Sequence, residues 1–253
     1  MGPPAVLGWA LVMREVLSDL AVLERLVPVA GRDVVDVGCG GGLLARGLVA
    51  RGARVTGVEI SESQLAAAVR DDDGNGARYV VGAAERLPLA DGSVDVVVFM
   101  RSLHHVPRAD MASGLREAAR VLRPGGAVYI AEPLTEGDFF ELTSLVEDER
   151  EVRAAAQQAI ADASVAGLDR AERFEYDVRV CLADLNAFAA RVISVDPTRG
   201  EVFEARRAEL AEAFARLGEP GGRPGERCFL APMRADVLRR PMEGVTHPND
   251  RPS

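Results

Sequence analysis

Between residues 33 and 133 the chain alternates short apolar runs with longer segments of helical periodicity. The runs at Val34–Val35–Val37, Arg54–Val58, Tyr79–Val81, Val94–Met100 and Ala127–Ala131 predict five strands. Val94 to Met100 is nearly continuous in apolar character, as a parallel strand buried on both faces should be. The intervening segments predict helices. Leu43 to Arg51 is closed by Gly52, and Ser61-x-x-Gln64 is a capping box that opens a helix running to about Arg70. Asp110 is expected to cap a helix to Leu122, before a Pro124-Gly125-Gly126 turn; Asp71 to Gly76 reads as a second, solvated turn. Regular alternation of strand and helix predicts a doubly wound α/β fold, a mostly parallel sheet with helices on both sides.

The flanks are patterned differently. Residues 1–4 read as loose. Ala5 to Val27 reads as an amphipathic helical region, with Val12, Val16, Leu20 and Leu23 at helical spacing and Pro28 and Gly31 as its stop. Leu7 and Trp9 within it suit either core packing or a cap over a ligand site. Asp138 to Ser164 is expected to form one long helical stretch, with Gly167 past its end. A strand over Phe174–Val180, a short helix carrying Leu185, Phe188 and Val192, and a longer one carrying Phe203, Leu210, Phe214 and Leu217 follow, the last ended by Gly218. Glu219 to Gly225 is a Pro/Gly loop, Cys228 to Met233 a last strand, and the Pro-rich chain beyond Arg240 is expected to be disordered.

At 253 residues the length suits one domain over 1–240, with a helical cap (1–32), a ligand-binding core (33–133), a helical lid insertion (134–170), a segment completing the sheet (171–240) and a tail (241–253). A net charge of −9 argues against a nucleic-acid surface or an anionic membrane as partner. No residue is lysine, which removes Schiff-base chemistry and a Walker A lysine together. Cys39, Cys181 and Cys228 are scattered and odd in number and show no metal-ligand spacing, so no metal is expected, and a reducing, cytoplasmic setting is. The run Ala5–Met13 lacks a positive flank and is not expected to be a secretory signal. No stretch reaches the ~18 apolar residues of a membrane span.

The chemistry concentrates at Asp33–Gly42, DVVDVGCGGG, where a buried strand runs through a glycine turn into a helix start. A dinucleotide fingerprint, G-x-G-x-x-G, would need its third glycine at Leu43. The spacing present is Asp36-x-Gly38-x-Gly40-x-Gly42. A carboxylate beside the loop suits a ligand carrying positive charge better than one carrying two phosphates. S-adenosylmethionine, with an ammonium and a sulfonium and no phosphate, is such a ligand.

Six motifs stand in register: VVDVGCGGG (34–42), VTGVEIS (55–61), GAAERLPL (82–89), SVDVVV (93–98), LHHV (103–106) and RVLRPGGAVYIAEP (120–133). On these the stretch 33–133 resembles a class I S-adenosylmethionine-dependent methyltransferase, of the broad family that includes the ubiquinone and menaquinone C-methyltransferases. The resemblance implies a Rossmann-like, seven-stranded sheet in the order 3-2-1-4-5-7-6. It also implies S-adenosylmethionine as cofactor and in-line methyl transfer to a small organic acceptor. By the same resemblance Gly38, Cys39, Gly40 and Gly42 bring main chain against the cofactor, Asp36 favours its ammonium end, Glu59 accepts both ribose hydroxyls and Ile60 packs on the adenine. Relatives often read Gly-Asp-Ala-Glu where this chain has Gly82-Ala83-Ala84-Glu85, so Ala84 main chain and the Glu85 side chain stand in for the missing carboxylate. Met100 is expected to touch the cofactor. His104, His105 and Glu132, at the carboxyl edge of the sheet, are the candidate bases, and Arg101 is a candidate partner for an acidic substrate group. Other readings are an S-adenosylmethionine-binding enzyme of a non-methylating reaction such as cyclisation, a nicotinamide oxidoreductase, and a non-enzymatic binding module.

Overall fold

The structure, a computed structural model, describes residues 14–72, 74 and 76–242. Among them nine strands form one sheet: β1 (Glu15–Val16), β2 (Asp33–Val37), β3 (Arg54–Glu59), β4 (Arg78–Val81), β5 (Val94–Met100), β6 (Leu122–Pro133), β7 (Asp169–Leu182), β8 (Glu219–Pro220) and β9 (Arg227–Arg239). The order is β1-β7-β9-β6-β5-β2-β3-β4, with β8 paired to β9. The five strands of the 33–133 core are mutually parallel, and β9 runs antiparallel to both its neighbours. Leaving aside the two-residue strands β1 and β8, this is the order 3-2-1-4-5-7-6.

The helices are α1 (Asp19–Leu26), α2 (Leu43–Val49), α3 (Glu62–Asp71), α4 (Met111–Val121), α5 (Asp138–Ser144), α6 (Arg150–Ala161), α7 (Leu185–Val195), α8 (Arg199–Ala205) and α9 (Arg207–Leu217). Strand side chains alternate between faces, so each core strand feeds two layers. Val35, Val37, Val97 and Phe99 pack with Leu115, Ala118, Ala156 and Ile160 of α4 and α6. Val34, Val96 and Val98 pack on the other face with Val22, Leu23, Ala45 and Leu48 of α1 and α2. A third cluster joins α5, α7, α8 and α9 to the ends of β7 and β9 through Leu142, Phe188, Phe203, Phe214 and Phe229.

Several expectations are corrected. The helical reading of residues 5–13, with Leu7 and Trp9, lies outside the described residues, as does the tail from 243. Within them the first helix is shorter than expected. Residues 15–16 add a strand beside β7, and α1 starts only at Asp19, because Ser18 Oγ accepts from Ala21 N at 3.2 Å and caps it there. Asp110 precedes α4 but its side chain makes no capping bond. Pro124-Gly125-Gly126 does not separate helix from strand: β6 starts at Leu122, and the three residues bulge out where pairing jumps from Val94↔Leu122 to Val96↔Ala127. The long helix over 138–164 is broken between α5 and α6 at residues 145–149, where Arg199 and Arg153 hold Glu149 at 3.0 and 2.7 Å. The helix carrying Phe203 to Leu217 is broken at Arg206, whose guanidinium donates to Leu145 O and to Glu209. Cys181 and Cys228 are not scattered; they face each other across β7 and β9 and form a disulfide, leaving Cys39 as the free thiol. A bond of that kind runs against a reducing setting.

Candidate functional site

The glycine loop is held by the strands it joins. Gly38 N and Cys39 N both donate to Val58 O, at 2.8 and 3.1 Å, tying the end of β2 to β3. Gly38 has φ +71°, and a Cβ there would lie 2.7 Å from Ser102 Cβ. Gly42 has φ +75°, and a Cβ there would lie 2.6 Å from the Tyr79 hydroxyl. Only glycine meets both demands without displacing a neighbour. Ser102 in turn donates from Oγ to Val37 O at 2.6 Å, tying the segment after β5 to the end of β2.

Glu59, at the end of β3, reaches back over the loop. Its Oε2 accepts from Gly40 N and its Oε1 from Ser61 N, each at 2.9 Å. The second of these replaces half of the expected capping box: Ser61 still caps Gln64 N at 3.4 Å, but Ser61 N bonds to Glu59. Each carboxylate oxygen keeps a further lone pair. Asp36 is 1% exposed, and its Oδ2 is buried with no hydrogen-bond partner. Burial first, and the Glu59 charge second, push its carboxyl up to about 7. Burial, then Asp36 and Glu59, raise the Cys39 thiol to about 12, so it stays protonated at neutral pH.

These residues fit S-adenosylmethionine. An orphaned buried carboxylate is what an ammonium group would satisfy. Glu59 can still accept two hydroxyl donors. Leu43 and Ile60, 79% and 71% exposed, offer apolar surface beside the loop. Met100, at the end of β5, is half-buried against the α1–α2 side of the sheet. Ala84 is buried with its methyl in the α4 layer, next to Gly114, and Glu85 beside it is half-buried.

The candidate bases sort themselves. His104 lies in a short turn of 3-10 helix, Leu103–His105, and is 5% exposed. Its Nδ1 bonds Glu132 Oε2, while Glu132 Oε1 accepts from Leu103 N at 2.9 Å. Glu132 is fully buried with both oxygens engaged. Both of its oxygens are thus spent on His104 and on the Leu103 main chain. The His105 ring lies 4.0 Å from that of His104. Although His105 keeps surface at the rim, desolvation by the surrounding protein, then the His104 charge, lowers it to about 4.

Beside this pair opens a cavity of 220 Å³. Its lining includes His104, His105 and Arg101, Phe139 and Phe140 of α5, Val192 and Val195 of α7, and Met233 of β9. The lining thus draws on α7 as well as on the 134–170 segment. Ser102, the α7 wall and Arg191 were not singled out from sequence. The register of Arg191, Val192 and Val195 on one turn of α7 was the available signal, but nothing in the pattern told which surface that turn would meet. His104, His105 and Glu149 bring ligand-type atoms within 4.8 Å of one another. Glu149 already holds Arg153 and Arg199, so a dication there would displace or oppose two guanidinium groups.

The description of a methyltransferase domain matches residues 35–130. Over 117 residues the chain is 37% identical to the ubiquinone biosynthesis O-methyltransferase of Marinobacter nauticus, an overlap of 44% of this chain and 48% of the relative. The chain thus spans about half the length of the curated relatives it matches. Among solved structures, that of a putative methyltransferase from Bacillus halodurans superposes with a TM-score of 0.60 at 24% identity, covering 89% of this chain and 100% of that one. The [4+2]-cyclase SpnF superposes with a TM-score of 0.58 at 20% identity, covering 88% and 79%. Both are likenesses of fold. No helix among the described residues is long and apolar enough to cross a membrane. Residues 35–130 thus match a methyltransferase domain, and by its six motifs and strand order the chain is similar to the class I S-adenosylmethionine-dependent methyltransferases.

Proposed function

We propose that the protein transfers a methyl group from S-adenosylmethionine to a hydroxyl of a small organic acceptor held in the 220 Å³ cavity. The observation that carries this reading is the buried His104–Glu132 pair on the cavity wall. The cofactor supplies a methyl already activated by its sulfonium. The chain's own residues bind it, exclude water and handle the acceptor's proton. With Glu132 ionised, Nδ1 of His104 carries a proton and Nε2 a lone pair. Nε2 of His104 would take the proton of the acceptor's hydroxyl, and Glu132 would stabilise the imidazolium that results. His105 is too weak a base at neutral pH for that task. Holding donor and acceptor in line supplies roughly 7–11 kcal/mol of the barrier.

In this reading Asp36 faces the ammonium, Glu59 the ribose, Gly38 to Gly42 the main body of the cofactor, and Ile60, Ala84, Glu85 and Met100 the adenine side. The cavity is below the ~300–1,000 Å³ of drug-sized sites, which favours a compact acceptor and neither nucleic acid nor a membrane lipid. The SpnF likeness keeps a non-methylating reaction in view. The test is to follow S-adenosylhomocysteine and product together. One-to-one formation, lost in His104→Ala, supports methyl transfer; product without S-adenosylhomocysteine overturns it.

A further inference from the structure

Four arginines and three glutamates line the cavity: Arg101, Arg153, Arg191 and Arg199 against Glu136, Glu147 and Glu149. Every glutamate is already ion-paired, although Arg14, the partner of Glu136, also binds Glu175 at 3.0 Å. Glu136 meets Arg14 at 2.5 Å, Glu149 meets Arg153 and Arg199 at 2.7 and 3.0 Å, and Glu147 also binds Arg199. Arg101 binds Asp19 of α1 at 2.6 Å. Arg191, which is solvent-exposed, is left over. Among the described residues its guanidinium forms no ion pair and no hydrogen bond, and rests 5.6 Å from the Phe139 ring centroid.

Two further donors on the same lining are unspent. Arg101 Nε and Arg199 Nε are buried and have no hydrogen-bond partner. Buried N–H groups without acceptors are rare, and an anion in the cavity would give them one. Arg101 is also the one non-glycine residue with positive φ among the described residues, at +55°. A β-carbon in that conformation is strained, and such strain collects where a side chain must be placed. The arginine therefore sits where an unstrained backbone would not put it, on the wall next to His104.

Resting on the methyl-transfer reading, we infer that the acceptor is a small hydroxy acid: its hydroxyl faces His104 and its carboxylate is received by Arg191, with Arg101 and Arg199 as the neighbouring donors. A planar guanidinium matches a carboxylate through two parallel hydrogen bonds. His105 is neutral at pH 7 and adds no charge to the cavity. Phe139, Phe140, Val192 and Met233 supply apolar walls for a ring. The small volume excludes a long hydrocarbon tail on the same molecule.

The experiment compares benzoate, 4-hydroxybenzoate and 3,4-dihydroxybenzoate with their methyl esters by calorimetry, each with S-adenosylhomocysteine present. Esterification keeps the ring and hydroxyls and removes the charge. At least one acid is expected to bind tenfold or more tighter than its ester. Arg191→Met should abolish that difference while leaving the melting temperature and the affinity for S-adenosylhomocysteine unchanged; Arg191→Lys should recover part of it. The inference is overturned if no acid outbinds its ester, which includes the case in which none binds, or if Arg191→Met weakens acid and ester alike. Failure of S-adenosylhomocysteine itself to bind would instead bring down the cofactor assignment, and the two failures are read in separate titrations.

Discussion

Asp36 gives the most quantitative handle on the cofactor site. Its carboxyl is buried, lacks a partner at Oδ2, and titrates near 7 in the free protein. A carboxyl raised this way disfavours the ionised form by about 3 units above the usual value, on the order of 4 kcal/mol. A bound ammonium reverses that, so cofactor binding must be preceded or accompanied by loss of the Asp36 proton. At pH 5.5 about 3% of such a carboxyl is ionised and at pH 7 about half, so affinity for S-adenosylhomocysteine should rise roughly fifteenfold across that window. The ligand's own ammonium, with a pKa of about 7.7–8, stays charged throughout, and His105, near 4, does not titrate there. Calorimetry in two buffers of different ionisation enthalpy should show about 0.9 proton released per ligand at pH 6. Asp36→Asn should bind more weakly at pH 7, with a flat pH profile and no proton release. The stability of the free protein carries the opposite sign: the unfolded chain loses this proton near 3.8 and the folded one near 7, so stability should fall as pH rises between them, and Asp36→Asn should remove that fall. A pH-independent affinity in the wild type, or an equal slope in the variant, would refute the reasoning.

Three other outcomes follow from named contacts. Glu132→Gln keeps the bulk at a fully buried position but not the charge that supports His104; turnover should drop roughly 10²–10⁴-fold with cofactor affinity unchanged, and unaltered turnover would remove His104 as the base. Thiol titration of denatured, unreduced protein should find one free cysteine, rising to three on reduction, and reduction should lower stability by up to about 4 kcal/mol for residues 47 apart; three thiols at the outset would mean that Cys181 and Cys228 remain apart. Gly38→Ala should cost roughly 2 kcal/mol or more in urea unfolding, through its positive φ and the clash with Ser102, whereas Gly41→Ala, whose Cβ would meet nothing within 4 Å, should cost little; equal effects would contradict the packing of the loop.

The 33–133 core was readable because its signals are local. β-branched runs, a capping serine at Ser61 and glycines at turns each act within a few residues. Asp36, Glu59, the glycine loop and the pair of histidines stand out in the sequence for the same reason. What local pattern does not carry is which distant groups meet. That Glu132 spends both oxygens on His104 and Leu103 depends on β5 and β6 being neighbours. The helices beyond residue 134 were drawn too long because periodicity survives a break when the break is made by distant side chains, as Arg199 does at Glu149 and Arg206 at Leu145. Cys181 and Cys228 stand at the ends of two segments that both read as strands, yet only their pairing brings the sulfurs together. Arg191 is anonymous in the sequence, because which charges on the cavity lining find partners is set only by the tertiary fold.

The central claim, a sulfonium nucleoside held by Glu59 over the glycine loop, is tested most directly by titrating S-adenosylmethionine into wild-type protein and into Glu59→Ala, with NAD as a control. Glu59 offers charged acceptors for two hydroxyls, each bond worth about 1.5–3 kcal/mol, so the variant should bind at least ~100-fold more weakly. One-to-one binding of S-adenosylmethionine, its loss in the variant and no heat with NAD is the expected result; equal affinity in the two proteins, or binding of NAD in place of S-adenosylmethionine, would contradict it.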